Sequence, residues 1–145
     1  MNKKIFKYKI VYWISILTSS LLTVFFCYTS YFRMMTIFAN DQFSLFYLVE
    51  CNLIFLITLF SISAFILLIS KKRFAILPLN LSLLLTVVLF LEVTYLMIKQ
   101  EGDKDIVAGG IVLNSLVIIL ILIINKFKYK EVKFDNIDLI GRNQD

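Results

Sequence analysis

The 145-residue sequence contains no histidine, one proline, four glycines and two cysteines. Without histidine the usual zinc sites are excluded, and Cys27 and Cys51 do not have the spacing of a metal or redox motif. The sequence also lacks a Gly-rich phosphate loop and a nucleophile paired with a base, which are the parts from which active sites are commonly built. It therefore predicts a protein that is not an enzyme and that holds neither a cofactor nor a metal.

Charged residues are scarce as well. They make up 17% of the chain, against 60% for hydrophobic residues, and the mean hydropathy is +0.87. So little polar surface cannot cover a soluble globule of this length. The composition therefore predicts a protein that lies in a lipid bilayer.

Four apolar runs are long enough to cross a bilayer, which takes roughly 20 residues. The first has lysines before it but no small-residue cleavage site after it, so we expect it to be retained rather than removed as a signal peptide. The predicted fold is an all-α membrane protein, a bundle of four transmembrane helices in residues 1–125 followed by a cytoplasmic tail in 126–145. The predicted spans are 10–32, 43–70, 74–98 and 106–125.

Lysine and arginine are distributed unequally between the two sides of these spans. Four lie before the first span, three in the second connection and five in the tail, whereas the other side has Arg33, Lys99 and Lys104. Positive residues favour the cytoplasmic side, so both termini are predicted to be cytoplasmic. Because the net charge of +5 comes from this uneven distribution, it indicates the orientation of the chain in the membrane. It does not predict a nucleic-acid partner. The small size and the Lys/Ile/Phe-rich composition indicate a multi-pass protein of the bacterial inner membrane.

The tetrapeptide Phe-Lys-Tyr-Lys occurs twice, at residues 6–9 and 127–130. Each copy adjoins the predicted cytoplasmic face of a span. A duplicated hairpin would leave such a trace, but broader internal symmetry normally accompanies one. Aromatic and basic residues are also the common anchors of a membrane interface, which is the simpler interpretation.

Two carboxylates, Glu50 and Glu92, lie inside apolar runs, where an ionised group costs about 3 kcal/mol. At 1.5 Å per residue both fall near the outer edge of the bilayer core, and Asn114 reaches a similar level. Tyr47 and Tyr95 each lie three residues from one of the carboxylates and share its helix face. These five residues form a candidate polar layer.

Two interpretations of the polar layer remain open at this point. It could bind a ligand, an ion or a proton in an outward-facing cavity. Alternatively, the carboxylates could reach interfacial water or pair with Arg33, Lys99 or Lys104. Asn52 projects almost opposite to Glu50, so the two are not expected in one small pocket.

A row of small side chains follows the first span at every fourth residue. Small residues let helix backbones approach closely, which matters in lipid because apolar surroundings give no hydrophobic drive to helix association. The row is therefore a candidate packing seam, either within the chain or between subunits of a homo-oligomer. Its members are Ser15, Ser19, Thr23 and Cys27.

The tail carries more apolar residues than a merely solvating segment would. It is predicted either to dock onto a cytoplasmic protein partner, another subunit or the membrane surface, or to lie on membrane lipid as a basic anchor. The candidate docking residues are Phe127, Tyr129, Phe134, Ile137 and Ile140.

In size and four-span layout the chain resembles small multidrug transporters, the four-helix immunity proteins that protect bacteria from bacteriocins, and membrane subunits of phage-defence systems. The transporter family carries its key glutamate in the first helix, where this chain has no carboxylate. The leading hypothesis is a protein that acts by recognition and self-assembly, as the membrane component of a defence system or as a toxin-immunity protein. The alternative is a small transporter or ion channel that uses Glu50 and Glu92.

Overall fold

The computed structural model describes residues 5–39, 45–99 and 104–129. Within these ranges the chain is all-helical with no β-strand, and four helices are long and apolar enough to span a membrane. This confirms the prediction of an all-α, multi-pass membrane protein. The helices are α1 (Lys9–Ala39), α2 (Leu45–Ile69), α3 (Ile76–Lys99) and α4 (Lys104–Lys126), and a short 3-10 turn (Arg73–Ala75) precedes α3.

Helix α1 continues past the predicted end of the first span at Phe32. Neither glycine nor proline lies between Phe32 and Ala39, so no residue interrupts the hydrogen-bonding of the last turns. With 31 residues the helix is about 46 Å long, well above the roughly 30 Å of a bilayer core. Arg33 is consequently part of the helix rather than of a loop.

A tight turn joins α2 to the segment before α3. Lys71 adopts a left-handed conformation with φ 51°, a conformation more often taken by glycine at the end of a helix. The amide of Lys71 donates to Leu68 O at 2.9 Å, and the amide of Lys72 donates to Leu67 O at 2.9 Å. These two bonds satisfy carbonyls that the helix end would leave open. The turn also sets three consecutive cations, Lys71 to Arg73, at one end of the molecule.

Each helix packs on the next along the chain, whereas α1 and α4 contact each other much less. Near the chain ends all four helices contribute to one buried core, with Val11 from α1, Leu68 from α2, Leu79 from α3 and Ile124 from α4. A second core towards the other end contains residues from α1, α2 and α3. Helix α4 therefore contributes to the shared core at one end and packs mainly on α3 along its length. The second core consists of Phe26, Ile54, Ile57 and Leu89.

Candidate functional site

Arg33 and Glu50 form an ion pair between α1 and α2. Arg33 Nη2 lies 2.6 Å from Glu50 Oε1, and the side chains are 31% and 15% exposed. The Tyr47 ring lies under the guanidinium, with 5.0 Å from Cζ to the ring centroid. Tyr47 also donates its hydroxyl to Arg33 O at 3.5 Å. The extension of α1 past Phe32 brings Arg33 into reach of α2, and Glu50 thus has one of the cations named as its candidate partners.

The other members of the candidate polar layer lie elsewhere. Glu92 is half-buried on α3, and no hydrogen bond or ion pair is seen for it within the described ranges. Tyr95 is exposed, whereas Asn114 is 5% exposed and sits on α4. The structure brings Tyr47 and Glu50 together with Arg33, but no described bond connects these groups to Glu92 or Asn114.

Asn114 belongs to the contact between α3 and α4. Its Nδ2 donates to Gly110 O at 3.1 Å, while its Oδ1 is buried without a hydrogen-bond partner among the described residues. One turn earlier, a Cβ built on Gly110 would meet Thr94 Oγ1 at 2.5 Å. Glycine is therefore required at position 110 for α4 to approach α3 this closely.

A groove of about 290 Å³ opens between α1 and α2 beside the ion pair. Cys51 and Asn52 line it together with Arg33, whereas Glu50 is not among its lining residues. This arrangement follows the opposite projection of Asn52 and Glu50 on α2. Ser30, which also lines the groove, is hydrogen-bonded through its hydroxyl to the hydroxyl of Thr58 on α2 at 2.9 Å.

The candidate packing seam on α1 is only partly directed inward. Ser15 and Ser19 are fully buried and donate to backbone carbonyls of their own helix at 2.8 and 3.0 Å. Thr23 is half-buried and Cys27 is exposed. A four-residue spacing drifts by about 40° per step against the 3.6-residue turn, so the row rotates out of the contact by its fourth member. Phe26 is the buried residue at that level.

The described parts of the two Phe-Lys-Tyr-Lys tetrapeptides lie side by side. This contact was not predicted from the sequence. Phe6 and Lys128 form an isolated antiparallel bridge. The amide of Lys7 donates to Phe127 O at 3.0 Å, and that of Tyr129 donates to Ile5 O at 2.9 Å. We call this pairing of residues 5–8 with residues 127–129 the terminal clasp. The repetition was its only signal in the sequence.

The clasp engages two of the candidate docking residues of the tail. Phe127 packs edge-on against Tyr8, with the ring centroids 5.3 Å apart. Tyr129 lies beneath the guanidinium of Arg73, with 5.4 Å from Cζ to the ring centroid. Both aromatic side chains therefore contact the chain's own residues. Phe134, Ile137 and Ile140 lie outside the described residues.

Asn80 and Asn125 form a second contact that the sequence analysis missed. Asn80 Nδ2 donates to Asn125 Oδ1 at 2.9 Å, and Asn125 Nδ2 donates to Asn80 Oδ1 at 3.1 Å. This reciprocal amide pair joins the start of α3 to the end of α4. An amide in an apolar helix is a signal for such pairing because its polar atoms need partners in lipid.

Comparison with family models, with curated proteins and with solved structures finds no match to this chain. In the described part of the chain, no group of three or more histidine, cysteine, aspartate or glutamate side chains is arranged to hold a metal.

Proposed function

We propose that this protein is an inner-membrane protein that acts by recognising a partner at its cytoplasmic face, not by catalysis. The observation that carries the proposal is the charge of the clasped end of the bundle. Seven of the described basic residues lie there, whereas the described acidic residues, Glu50, Glu92 and Asp105, all lie towards the opposite ends of their helices. The seven are Lys7, Lys9, Lys71, Lys72, Arg73, Lys126 and Lys128.

This asymmetry also supports cytoplasmic termini, since positive residues are retained on the cytoplasmic side. The terminal clasp has buried side chains at Ile5 and Phe6 and fixes Tyr129 against the bundle. The tail that follows therefore starts from a defined place on a basic surface. Such a tail is suited to present its apolar residues, among them Ile137, to a protein docked on that surface.

Self-assembly is the second part of the proposal, and α4 is its proposed surface. Only 6% of the most apolar stretch of α4 is buried, against 39% for α3. Gly109 faces open space, with nothing within 4 Å of a Cβ built on it, and Val112 is exposed on the same helix. Glycine costs about 1 kcal/mol in a helix relative to alanine, and a close approach by a second helix would offset that cost.

One photo-crosslinking experiment tests both parts. A photo-reactive phenylalanine analogue at Ile137 is expected to give an adduct with one protein partner in native membranes, and the same analogue at Val112 is expected to give a homodimer. The matched control is Leu17, an exposed apolar position on α1, which should give neither product. Absence of both adducts would contradict recognition and self-assembly.

The alternative function is a small transporter or ion channel. It needs accessible carboxylates, and the pairing of Glu50 with Arg33 leaves Glu92 as its stronger candidate. Ion-gradient-driven flux in proteoliposomes that is lost in Glu92→Gln would favour transport over recognition. A defence or toxin-immunity setting would be supported by a toxin, nuclease or defence protein encoded next to this chain.

Orientation is tested by cysteine labelling after Cys27 and Cys51 have been replaced by serine. Single cysteines near Lys4 and Asp138 are expected to react with an impermeant reagent from the cytoplasmic side. Cysteines near Asn40 and Gly102 should react from the outer side, because the lysine and arginine asymmetry determines insertion. Labelling of Gly102→Cys from the cytoplasm would contradict four spans with cytoplasmic termini.

A further inference from the structure

A depression of about 460 Å³ lies at the clasped end, between the start of α3 and the segment that follows α4. Two cations, Arg73 and Lys128, stand on its rim, and most of its remaining lining is apolar. Two of the apolar side chains are strongly exposed, Phe74 at 81% and Leu77 at 64%. The lining is completed by Ile76, Asn80 and Leu81.

The position of the depression relative to the membrane follows from the ends of the spans. Arg73 begins the third candidate span, and Lys128 lies two residues beyond Lys126, which ends the fourth. Both cations of the rim therefore lie at the ends of candidate spans. Leu77 and Leu81 lie further along α3, towards the middle of its candidate span. In a bilayer crossed by these spans, one wall of the depression would meet headgroups and the other would meet acyl chains.

From this arrangement we propose that the depression binds one anionic phospholipid. The phosphate is placed against Arg73 and Lys128, and an acyl chain lies along Phe74 and Leu77. Basic residues at a membrane surface attract anionic lipid. A soluble phosphate ion could pair with the two cations, but it has no hydrocarbon to cover the exposed apolar wall. A lipid satisfies both parts of the lining, because it carries the charge and the hydrocarbon in one molecule.

The rim cations are held in place by contacts already described. The clasp hydrogen bond from Tyr129 to Ile5 fixes the backbone next to Lys128, and Arg73 lies over the Tyr129 ring. The reciprocal amide pair of Asn80 with Asn125 ties α3 to the end of α4 beside the depression. A preformed site loses less freedom on binding than a loose cluster of lysines would.

The test uses the full chain in nanodiscs containing equal amounts of phosphatidylglycerol and phosphatidylcholine, followed by native mass spectrometry of the lipid retained after transfer to detergent. We expect one retained phosphatidylglycerol per chain. The double variant Arg73→Gln/Lys128→Gln should weaken retention by roughly 25-fold, or about fivefold for each charge removed. Lys128→Arg should retain the lipid, and an unchanged helical circular dichroism spectrum shows that the variants are folded.

Two further arms separate a lipid site from simpler explanations. The control Lys7→Gln/Lys9→Gln removes the same charge from the same end, but neither residue lines the depression, so retention should change little. Phe74→Ser/Leu77→Ser should also release the lipid. Equal loss in the lysine control, equal retention of phosphatidylcholine, or full displacement by inorganic phosphate would each overturn the proposal.

Discussion

Replacing Gly110 by alanine is expected to destabilise the contact between α3 and α4 by about 1 to 3 kcal/mol. The new Cβ would lie 2.5 Å from Thr94 Oγ1, far inside van der Waals contact. Thr94 cannot turn away freely, because its hydroxyl donates a 2.7 Å hydrogen bond to Phe90 O and a β-branched side chain has few rotamers in a helix. Reversible unfolding in mixed micelles of mild detergent and sodium dodecyl sulfate measures the change.

Gly109 provides a matched control on the same helix. A Cβ at this position meets nothing within 4 Å, and alanine is the better helix former by about 1 kcal/mol. In the monomeric protein, where no second helix approaches Gly109, Gly109→Ala should therefore be neutral or stabilising, opposite in sign to Gly110→Ala. Adding Thr94→Ala to the Gly110→Ala variant should restore most of the lost stability. Equal effects at the two glycines would contradict the close approach of the helices.

Glu50→Gln is expected to loosen α1 from α2, with a cost of about 1 to 3 kcal/mol. Removing one partner of a buried ion pair costs about 3 to 5 kcal/mol, whereas exposed pairs contribute about 1 kcal/mol or less. The intermediate exposure of Arg33 and Glu50 places this pair between those limits. Glutamine keeps the shape of the side chain but leaves the guanidinium without its counter-charge. Reversible unfolding in mixed micelles of mild detergent and sodium dodecyl sulfate again measures the change in stability.

Glu92→Gln is the control for that experiment, because it makes the same chemical change in another apolar helix. No ion pair is seen for Glu92 in the described part of the chain, so stability should remain nearly unchanged. Arg33→Gln should resemble Glu50→Gln, and the double variant should cost less than the sum of the two. A loss in Glu92→Gln as large as that in Glu50→Gln would contradict a specific role for the Arg33 pair.

The helices were predictable from the sequence because membrane spanning depends on length and composition alone. The four-residue spacing of Ser15 and Ser19 predicted that they lie in a helix contact. It did not distinguish a contact within the chain from a contact between subunits. Helix direction also indicated that Asn52 and Glu50 point apart. These inferences all concern residues within one helix, where the 3.6-residue repeat fixes relative positions.

Contacts between helices could not be predicted in the same way. Arg33, Lys99 and Lys104 were all acceptable partners for Glu50, and the extension of α1 brought Arg33 to it. The candidate polar layer was inferred from depth, but residues at equal depth on different helices meet only if the helices also face each other. Asn80 and Asn125 are 45 positions apart, so their pairing depends on how α3 and α4 are aligned.

The terminal clasp has a consequence for the order in which the protein is made. Ile5 and Lys7 leave the ribosome first, whereas their hydrogen-bond partners Tyr129 and Phe127 follow after all four helices have been synthesised. The clasp thus cannot close while the chain is still entering the membrane before α4. A nascent chain stalled after α3 would lack Ile124, which shares a buried core with Phe6. Phe6 can therefore be fully buried only after α4 has been made.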